Sequence, residues 1–468
     1  MTQELWRLGA TELAAAIARR ECSATDAARS VLARIDDTNP RINALPDVMR
    51  TQALIAAQAA DDAQARGDAL GPLHGVPVTI KVNIDTAGTA NTDGIVACKD
   101  NVVQADSPLV AHLRAAGAVI VGRSNTPAFS LRWFTDNALH GRTLNPFNAG
   151  VTPGGSSGGA AAAVACGMGP IAHGNDYGGS VRYPAWACGV VGLRTTAGRI
   201  ASYKPSSPSR GITAQLMSVQ GPLTRSVADA RLALQVMAQA TPLDPYWVPA
   251  PIDYPADGKP LRVALFKRHA AYDADPSVVA ALEQAAQWLA DAGCEVEEVE
   301  PPHFEEAAQL WRDLVYNDLR RAGLPAINAM GDAPVRKNLA FMMEDVPELD
   351  RDAYLSALLR RQDIGREWAV FQEQYPVLLM PNSWERQFPI DDDTQSAARM
   401  QRIVAAQSPL LGTAMLGVPG LSVPTGLHNG LPVGVQLVAH RYREDRLLRA
   451  GAIIEARAGF NAVDHLPF

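Results

Sequence analysis

Cysteine is scarce in this chain of 468 residues, and its five copies are widely scattered. They are Cys22, Cys98, Cys166, Cys188 and Cys294. An odd number of cysteines without C-x-x-C spacing argues against a disulfide framework and against a cysteine zinc site. We therefore predict reduced thiols, as in a cytoplasmic protein, and no bound metal.

Blocks of positive charge and long apolar runs are also missing. The 42 basic and 49 acidic residues give a net charge of −7, which argues against nucleic acid or an anionic membrane as the main partner. We find no run of about 18 apolar residues and no signal-peptide pattern at the N-terminus, so we expect no membrane span. A small molecule is the expected partner.

Two kinds of nucleotide-binding loop are absent, because neither G-x-x-x-x-G-K-[ST] nor G-x-G-x-x-G occurs in the glycine clusters. We therefore predict no cofactor. The segment Gly154–Gly158 formally matches the G-x-S-x-G nucleophile elbow, but that motif needs a preceding strand and this one follows NPFNAGVTP. None of the nine histidines lies in a recognisable catalytic signature. A serine–histidine hydrolase is thus the weaker alternative.

Glycine, in contrast, is concentrated in one stretch. Residues Gly150–Arg199 hold 13 of the 37 glycines, in the pattern GVTPGGSSGG, AAAAVACGMGPIA, HGNDYGGSVRYP and GVVGLRTTAGR. Such a density indicates backbone in unusual torsions or in close approach to another group. We predict two serine-bearing loops, with Ser156 and Ser157 in one and Ser180 in the other, joined by a small-residue helix.

Strands and helices alternate along the chain as they do in α/β proteins. We predict one domain over 1–468, with a large twisted mixed β-sheet covered by helices on both faces. Residues 1–66 form an N-terminal helical region, 73–240 a catalytic core, and 301–408 a variable, mostly helical cap that contains the apolar strand YPVLLMP. The N-terminal helices would cover the domain or pair with a second subunit, which suggests a homodimer.

Lys81 is the residue that gives the serines a chemical role. It ends the strand signal Val76–Ile80, in apolar surroundings that lower the pKa of a lysine ammonium. A lysine in its neutral form can activate a serine in place of histidine. An ordinary strand-end lysine that reaches solvent is the alternative for this residue taken alone.

The glycine-rich stretch resembles the amidase signature family. The resemblance is supported by GVPVTIKVNID, RSNTPAF, GRTLNPFN, GPLTRSVAD and SVPTGLHNGLPVGVQLV, which occur in the family's order between Leu73 and Val438. It implies the family's fold and a Ser-cisSer-Lys triad, in which Lys81 is the base, Ser156 the bridging serine and Ser180 the nucleophile. The implied activity is hydrolysis of a linear amide through an acyl-enzyme.

Other roles follow from the resemblance. The backbone N–H groups of Tyr177, Gly178, Gly179 and Ser180 would form the oxyanion hole. Structural support is expected from Ser157 and from an Asp176–Arg182 pair. Aromatic and apolar residues are candidates for the substrate pocket, namely Trp133, Phe134, Tyr177 and Met217.

Five positions depart from the family's usual pattern. Val82 replaces the aspartate that commonly follows the lysine, and Asn175 replaces the threonine that precedes Asp176. Bulky Tyr177 stands where a small or aliphatic residue is usual, and Arg194-Thr195 replaces Lys-Pro. None of them removes a triad residue, so the changes bear on the shape of the pocket.

The resemblance leaves the substrate open, because the family acts on primary amides, anilides, fatty amides, carbamates and charged tRNA. The aromatic pocket candidates favour an aryl or small hydrophobic amide. A carbamate hydrolase, an amidotransferase subunit that works on charged tRNA within a complex, and an inactive binding protein are the alternatives.

Overall fold

The structure is a computed structural model and describes residues 4–255 and 258–468. Its strands form one eleven-stranded sheet. They are β1 Asp47–Val48, β2 Pro77–Lys81, β3 Val119–Ser124, β4 Ile171–Asp176, β5 Val191–Arg194, β6 Val219–Thr224, β7 Arg262–Leu265, β8 Glu295–Glu298, β9 Val377–Met380, β10 Gly420–His428 and β11 Leu431–Ala439.

Helices make up most of the remaining regular structure. The α-helices are α1 Ala10–Ala18, α2 Ala24–Ile42, α3 Arg50–Arg66, α4 Pro108–Ala115, α5 Gly158–Ala165, α6 Arg182–Ala187, α7 Ile212–Met217, α8 Val227–Met237, α9 Pro276–Asp291, α10 Phe304–Ala322, α11 Leu324–Met330, α12 Ala333–Met343, α13 Arg351–Gln374, α14 Ala397–Ala406, α15 Ser408–Leu416 and α16 Glu444–Ala458. Short 3-10 helices lie at Leu5–Arg7, Val96–Cys98, Ala128–Ser130, Asp392–Thr394 and Ala462–Asp464. Within the described ranges, no helix combines the length and apolar character needed to cross a bilayer.

The sheet is mixed, with strand order β1-β3-β2-β4-β6-β5-β10-β11-β9-β7-β8. Strands β3, β2 and β4 are parallel, as are β9, β7 and β8, whereas the strands between these groups pair antiparallel. Side chains alternate between two hydrophobic cores, so that Ile120 packs in one and Val119 and Val121 pack in the other. Such alternation places a core on each face of the sheet, and the predicted fold class is confirmed.

The glycine-rich stretch contains three more elements than we predicted, namely β4, α6 and β5. Helix α5 is buried along its whole length, as expected, but strand β4 follows it and leads directly into the turn that carries Ser180. Close packing explains two of the glycines. A Cβ on Gly159 would lie 2.4 Å from the backbone nitrogen of Asn125, and one on Gly174 would lie 2.7 Å from the Leu223 side chain.

The segment 301–408 contains helices α10 to α14, as its amphipathic pattern predicts. Its apolar strand is β9, which lies inside the sheet between β11 and β7. The helices are therefore connected to the central sheet through a strand of their own segment.

Candidate active site

Lys81 is the last residue of β2, and its side chain is fully buried. Its Nζ donates hydrogen bonds to Ser156 Oγ at 2.7 Å, to Asn175 Oδ1 at 2.8 Å and to Ser157 Oγ at 3.1 Å. Thus three neutral oxygens surround the amine. The structure brings the predicted lysine into direct contact with both serines of the GGSSGG loop.

Burial lowers the pKa of Lys81 to about 7, because a charged ammonium loses its hydration in the protein interior. Asp93 and Asp176 favour the charged form and act against this shift, whereas Lys204 acts in the same direction as burial. A substantial fraction of the amine is therefore neutral near pH 7. In that form it can accept a proton.

The loop before α5 has an unusual backbone, because the peptide bond between Gly155 and Ser156 is cis. Dense packing surrounds Gly155, where a Cβ would lie 2.5 Å from the carbonyl oxygen of Arg132 and 2.6 Å from the backbone nitrogen of Phe134. Only glycine fits such a position. The loop holds Ser156 at 1% exposure, in contact with Lys81.

Ser180 lies in the turn between β4 and α6 and is partly exposed, in contrast to Ser156 and Ser157. Its carbonyl oxygen accepts a hydrogen bond of 3.2 Å from the backbone N–H of Ser157. This bond ties together the two serine-bearing loops predicted from the sequence. Ser180 also lines the cavity described below.

Asp176 organises the turn that carries Ser180. Its carboxylate accepts hydrogen bonds from the backbone N–H groups of Gly179 at 2.9 Å and Val181 at 3.2 Å. It also pairs with Arg182 at 3.0 Å and with Arg194 at 2.9 Å. Burial opposes ionisation, but the two guanidinium groups outweigh it and hold the pKa of this carboxyl well below its usual range.

One of the predicted oxyanion donors, the backbone N–H of Gly179, has a partner within the turn. It donates to Asp176 Oδ1, so this donor already has an acceptor within the protein. The carbonyl groups of the same turn are held by two indole N–H groups. Trp311 Nε1 donates to the oxygen of Tyr177 at 2.8 Å, and Trp133 Nε1 donates to that of Gly178 at 2.9 Å. Because C=O and N–H are antiparallel in a trans peptide, these contacts also fix where the N–H groups of Gly178 and Gly179 point.

A cavity of about 270 Å³ opens beside the nucleophile turn. Its size is close to the lower end of typical ligand sites, roughly 300–1,000 Å³, which favours a small substrate. The wall is mostly aromatic and aliphatic, and its side chains include Trp133, Tyr177, Trp311, Val315, Tyr316, Leu319, Leu339 and Met342. Ser180 and Gly178 lie at the same cavity.

The four predicted pocket residues separate into two groups. Trp133 and Tyr177 line the cavity. Phe134 packs against Phe388, with ring centroids 6.1 Å apart, and Met217 is fully buried in the hydrophobic core. Apolar character in the sequence does not separate a pocket wall from the core behind it.

Three other buried titratable groups near the motifs are held in their uncharged forms. His173 is buried against Gln220, and burial lowers its pKa to about 3, so it is neutral. Burial raises the pKa of the Cys166 thiol to about 12 and that of Cys188 well above its usual value. Across residues 4–255 and 258–468, no group of three or more His, Cys, Asp or Glu side chains is arranged to hold a metal ion.

The site contains residues that sequence reasoning did not assign. Asn175 and Arg194 were noted only as departures from the family's pattern, and both contact the machinery directly, Asn175 through Lys81 and Arg194 through Asp176. Their departure from the family's usual residues was the sequence signal that could have identified them as part of the site. Trp311 lies in the variable segment, where no motif points to it.

The chain belongs to the amidase family, whose sequence model matches residues 26–448. It is an amidohydrolase that acts on amide C–N bonds. Among its relatives, an indoleacetamide hydrolase of Bradyrhizobium diazoefficiens is 44% identical over 97% of this chain and 87% of that protein. An acylamidase of Rhodococcus erythropolis is 34% identical over 97% of this chain and 96% of that protein.

A solved structure is similar over nearly the whole fold. The 6-aminohexanoate cyclic dimer hydrolase, in complex with its substrate, superimposes with a TM-score of 0.81 at 27% identity. The match covers 99% of this chain and 98% of that chain. The predicted family is thus confirmed by sequence and by fold.

Proposed function

We propose that the protein hydrolyses a small arylacetamide-type primary amide, such as indoleacetamide, to the acid and ammonia through a Ser-cisSer-Lys triad. The observation that carries the proposal is the contact between the buried amine of Lys81 and Ser156, next to a turn that presents Ser180 to a small aromatic cavity. The name of the relative that is 44% identical supports an arylacetamide as the acyl part.

In the proposed mechanism, neutral Lys81 takes the proton of Ser156, and Ser156 takes that of Ser180. The Oγ of Ser180 attacks the amide carbonyl carbon and forms a C–O bond. The C–N bond then breaks, and the nitrogen leaves as ammonia with the proton returned through Ser156. Water attacks the acyl-enzyme by the same relay and releases the carboxylic acid.

The backbone N–H groups of the turn would stabilise the negative charge that develops on the carbonyl oxygen. Gly178 and Ser180 supply the donors in this proposal, together with Tyr177, while Gly179 supports the turn through Asp176. Removal of a single oxyanion donor typically costs about 2.7–4 kcal/mol of the reaction barrier. A change in the orientation of this turn should therefore raise the reaction barrier about as much as the loss of an oxyanion donor.

Ammonia release by the purified chain tests the proposal. The wild type should convert indole-3-acetamide and phenylacetamide to acid and ammonia without added partners, and S180A should lose this turnover by a factor of about 10⁴ or more. The matched control is S356A, because Ser356 is exposed on α13. Full activity of S180A would overturn the assignment of the nucleophile. Activity that requires further subunits would instead favour an amidotransferase component.

Anilides are a second substrate class, favoured by the similarity to an acylamidase. A secondary amide needs space for its amine as well as for its acyl group, whereas this cavity is small. Acetanilide and its nitro derivative, assayed by release of the aniline, should be poorer substrates than the arylacetamides. A higher kcat/KM for the anilides would reverse this order.

A further inference from the structure

The wall of the cavity carries one acidic side chain, Asp318, among its aromatic and aliphatic residues. We infer that its carboxylate accepts a hydrogen bond from an N–H or O–H group on the aromatic ring of the substrate and so selects ring systems that carry such a donor. This inference rests on the proposed arylacetamide function and assigns recognition of the substrate's ring donor to Asp318.

Asp318 has a fixed position in α10, with only 8% of its side chain exposed. Its Oδ2 accepts hydrogen bonds from Thr213 Oγ1 at 2.6 Å and from the Thr213 N–H at 3.2 Å. The other oxygen, Oδ1, has the exposed guanidinium of Arg321 at 3.6 Å. Thr213 therefore orients the carboxylate through one oxygen, and the second oxygen has a longer contact with a side chain that is 78% exposed.

The same hydrogen-bonded chain reaches the nucleophile turn. The hydroxyl of Tyr177 bonds to Thr213 Oγ1, and Tyr177 precedes Ser180 by three residues. Helix α10 makes a second connection, because Trp311 holds the carbonyl of Tyr177. Asp318 follows Trp311 by seven residues, which is two helical turns or about 10 Å along the axis and brings both residues to the same face. The cavity thus extends from the Ser180 turn to Asp318.

Asp318 should favour rings that carry an N–H or O–H donor over rings that lack one. Tyr316 also lines the cavity, and its hydroxyl donates to Met342 Sδ at 3.4 Å. This hydroxyl therefore has a partner in the wall, whereas Asp318 Oδ1 can accept from the substrate. A ring without a donor would displace water from the carboxylate and leave it with one hydrogen bond fewer, which is costly for a buried charged group. Sites built to bond a substrate N–H or O–H discriminate strongly against analogues that lack it.

A pair of substrates of matched shape tests this inference. Indole-3-acetamide carries a ring N–H, and benzothiophene-3-acetamide carries sulfur at that position. The wild type should prefer the indole by at least about tenfold in kcat/KM, as expected for a hydrogen bond to a charged group. Equal kcat/KM values for the two substrates would overturn the inference and leave the proposed function intact. Failure to hydrolyse either substrate would overturn both.

The variant D318N locates the effect. Its amide oxygen can still accept from Thr213, which preserves the local fold, while its NH₂ group takes the place of the second acceptor oxygen. We expect the preference for the indole to fall to within about threefold of unity. A merely structural role of Asp318 would lower activity toward both substrates alike and keep the ratio. The control D313N changes a partly exposed residue of the same helix and should keep the wild-type ratio of the two kcat/KM values. A wild-type ratio in D318N would overturn the inference.

Discussion

The amine nitrogen of Lys81 lies 2.7 Å from the hydroxyl oxygen of Ser156, with both side chains buried. The surrounding acceptors are uncharged: Asn175 and Ser157 complete the contacts of the amine. A carboxylate in their place would stabilise the ammonium form, so neutral partners help to keep the pKa of Lys81 low and leave the amine in the uncharged form that the proposed relay requires.

The rate of the wild-type enzyme should depend on the protonation of Lys81. The proposed base is the neutral amine, and its pKa is about 7. The value of kcat/KM should therefore rise as the pH increases through 7, and it should be low at acidic pH, where the amine is protonated. N175D places a carboxylate near Nζ, stabilises the ammonium and should move this rise upward by about 1–3 pH units. A pH profile of ammonia release measures the shift.

The matched control for the pH shift is N175T, which supplies a neutral oxygen and restores the threonine usual in the family. Its pH profile should stay within about half a unit of the wild type. An unchanged profile in N175D, in a protein with normal thermal stability, would contradict the role of Lys81 as the titrating base.

Trp311 should act on kcat, because its indole N–H holds the carbonyl of Tyr177 in the nucleophile turn. W311F keeps an aromatic ring in the cavity wall but leaves the partly buried carbonyl of Tyr177 without this donor, a loss worth about 1–3 kcal/mol. We expect kcat to fall by about tenfold or more, as measured in steady-state assays. W288F, in α9, should retain normal kinetics, and an equal kcat in W311F would argue against positioning by the indole.

Gly179 should not tolerate a side chain. Its φ of +105° is unfavourable for other residues, and a Cβ would lie 2.6 Å from Leu410 Cδ1. G179A should therefore displace the turn and reduce kcat/KM by at least about a hundredfold. G365A is the comparison, because a Cβ at Gly365 in α13 meets no atom within 4 Å. That variant should remain active and gain up to about 1 kcal/mol of stability.

The buried pair of Arg132 and Asp393 should contribute strongly to stability. Both side chains are almost fully buried and contact each other through two hydrogen bonds, of 2.8 and 2.9 Å. D393N leaves the guanidinium unpaired and should lower the free energy of unfolding by about 3–5 kcal/mol, measured in urea. The exposed pair of Arg50 and Asp36 gives the comparison: D36N should cost less than about 1 kcal/mol.

Much of the fold could be predicted from local patterns. The β-branched run that ends at Lys81 became β2, the small-residue run between the serine loops became the buried helix α5, and the amphipathic segment 301–408 became α10 to α14. Strand β4 was missed because its sequence, IAHGND, has a glycine and polar residues at positions that are buried against other strands. Its stability comes from tertiary pairing with β2 and β6, which local propensity does not contain.

The candidate site was predictable where it follows a motif and unpredictable where it depends on packing. Lys81, Ser156 and Ser180 were named from the family resemblance, and the structure places them in neighbouring elements. The pair of Asp176 with Arg182 was predicted, whereas the second partner, Arg194, lies 18 positions from Asp176 on another strand and was not. Asp318 comes from another part of the chain, and its place in the cavity wall follows from the packing of α10 and not from a motif.

Helix α10 forms much of the cavity wall, whereas Lys81 and the serines belong to the sheet and the loops that extend from it. Mutations at cavity positions of this helix that do not contact the nucleophile turn, such as Val315 and Leu319, can therefore alter which amide is bound while leaving bond cleavage unchanged. A few substitutions in a single helix are therefore enough to change the substrate. For an engineer, the same helix is a segment to randomise or to exchange between homologues.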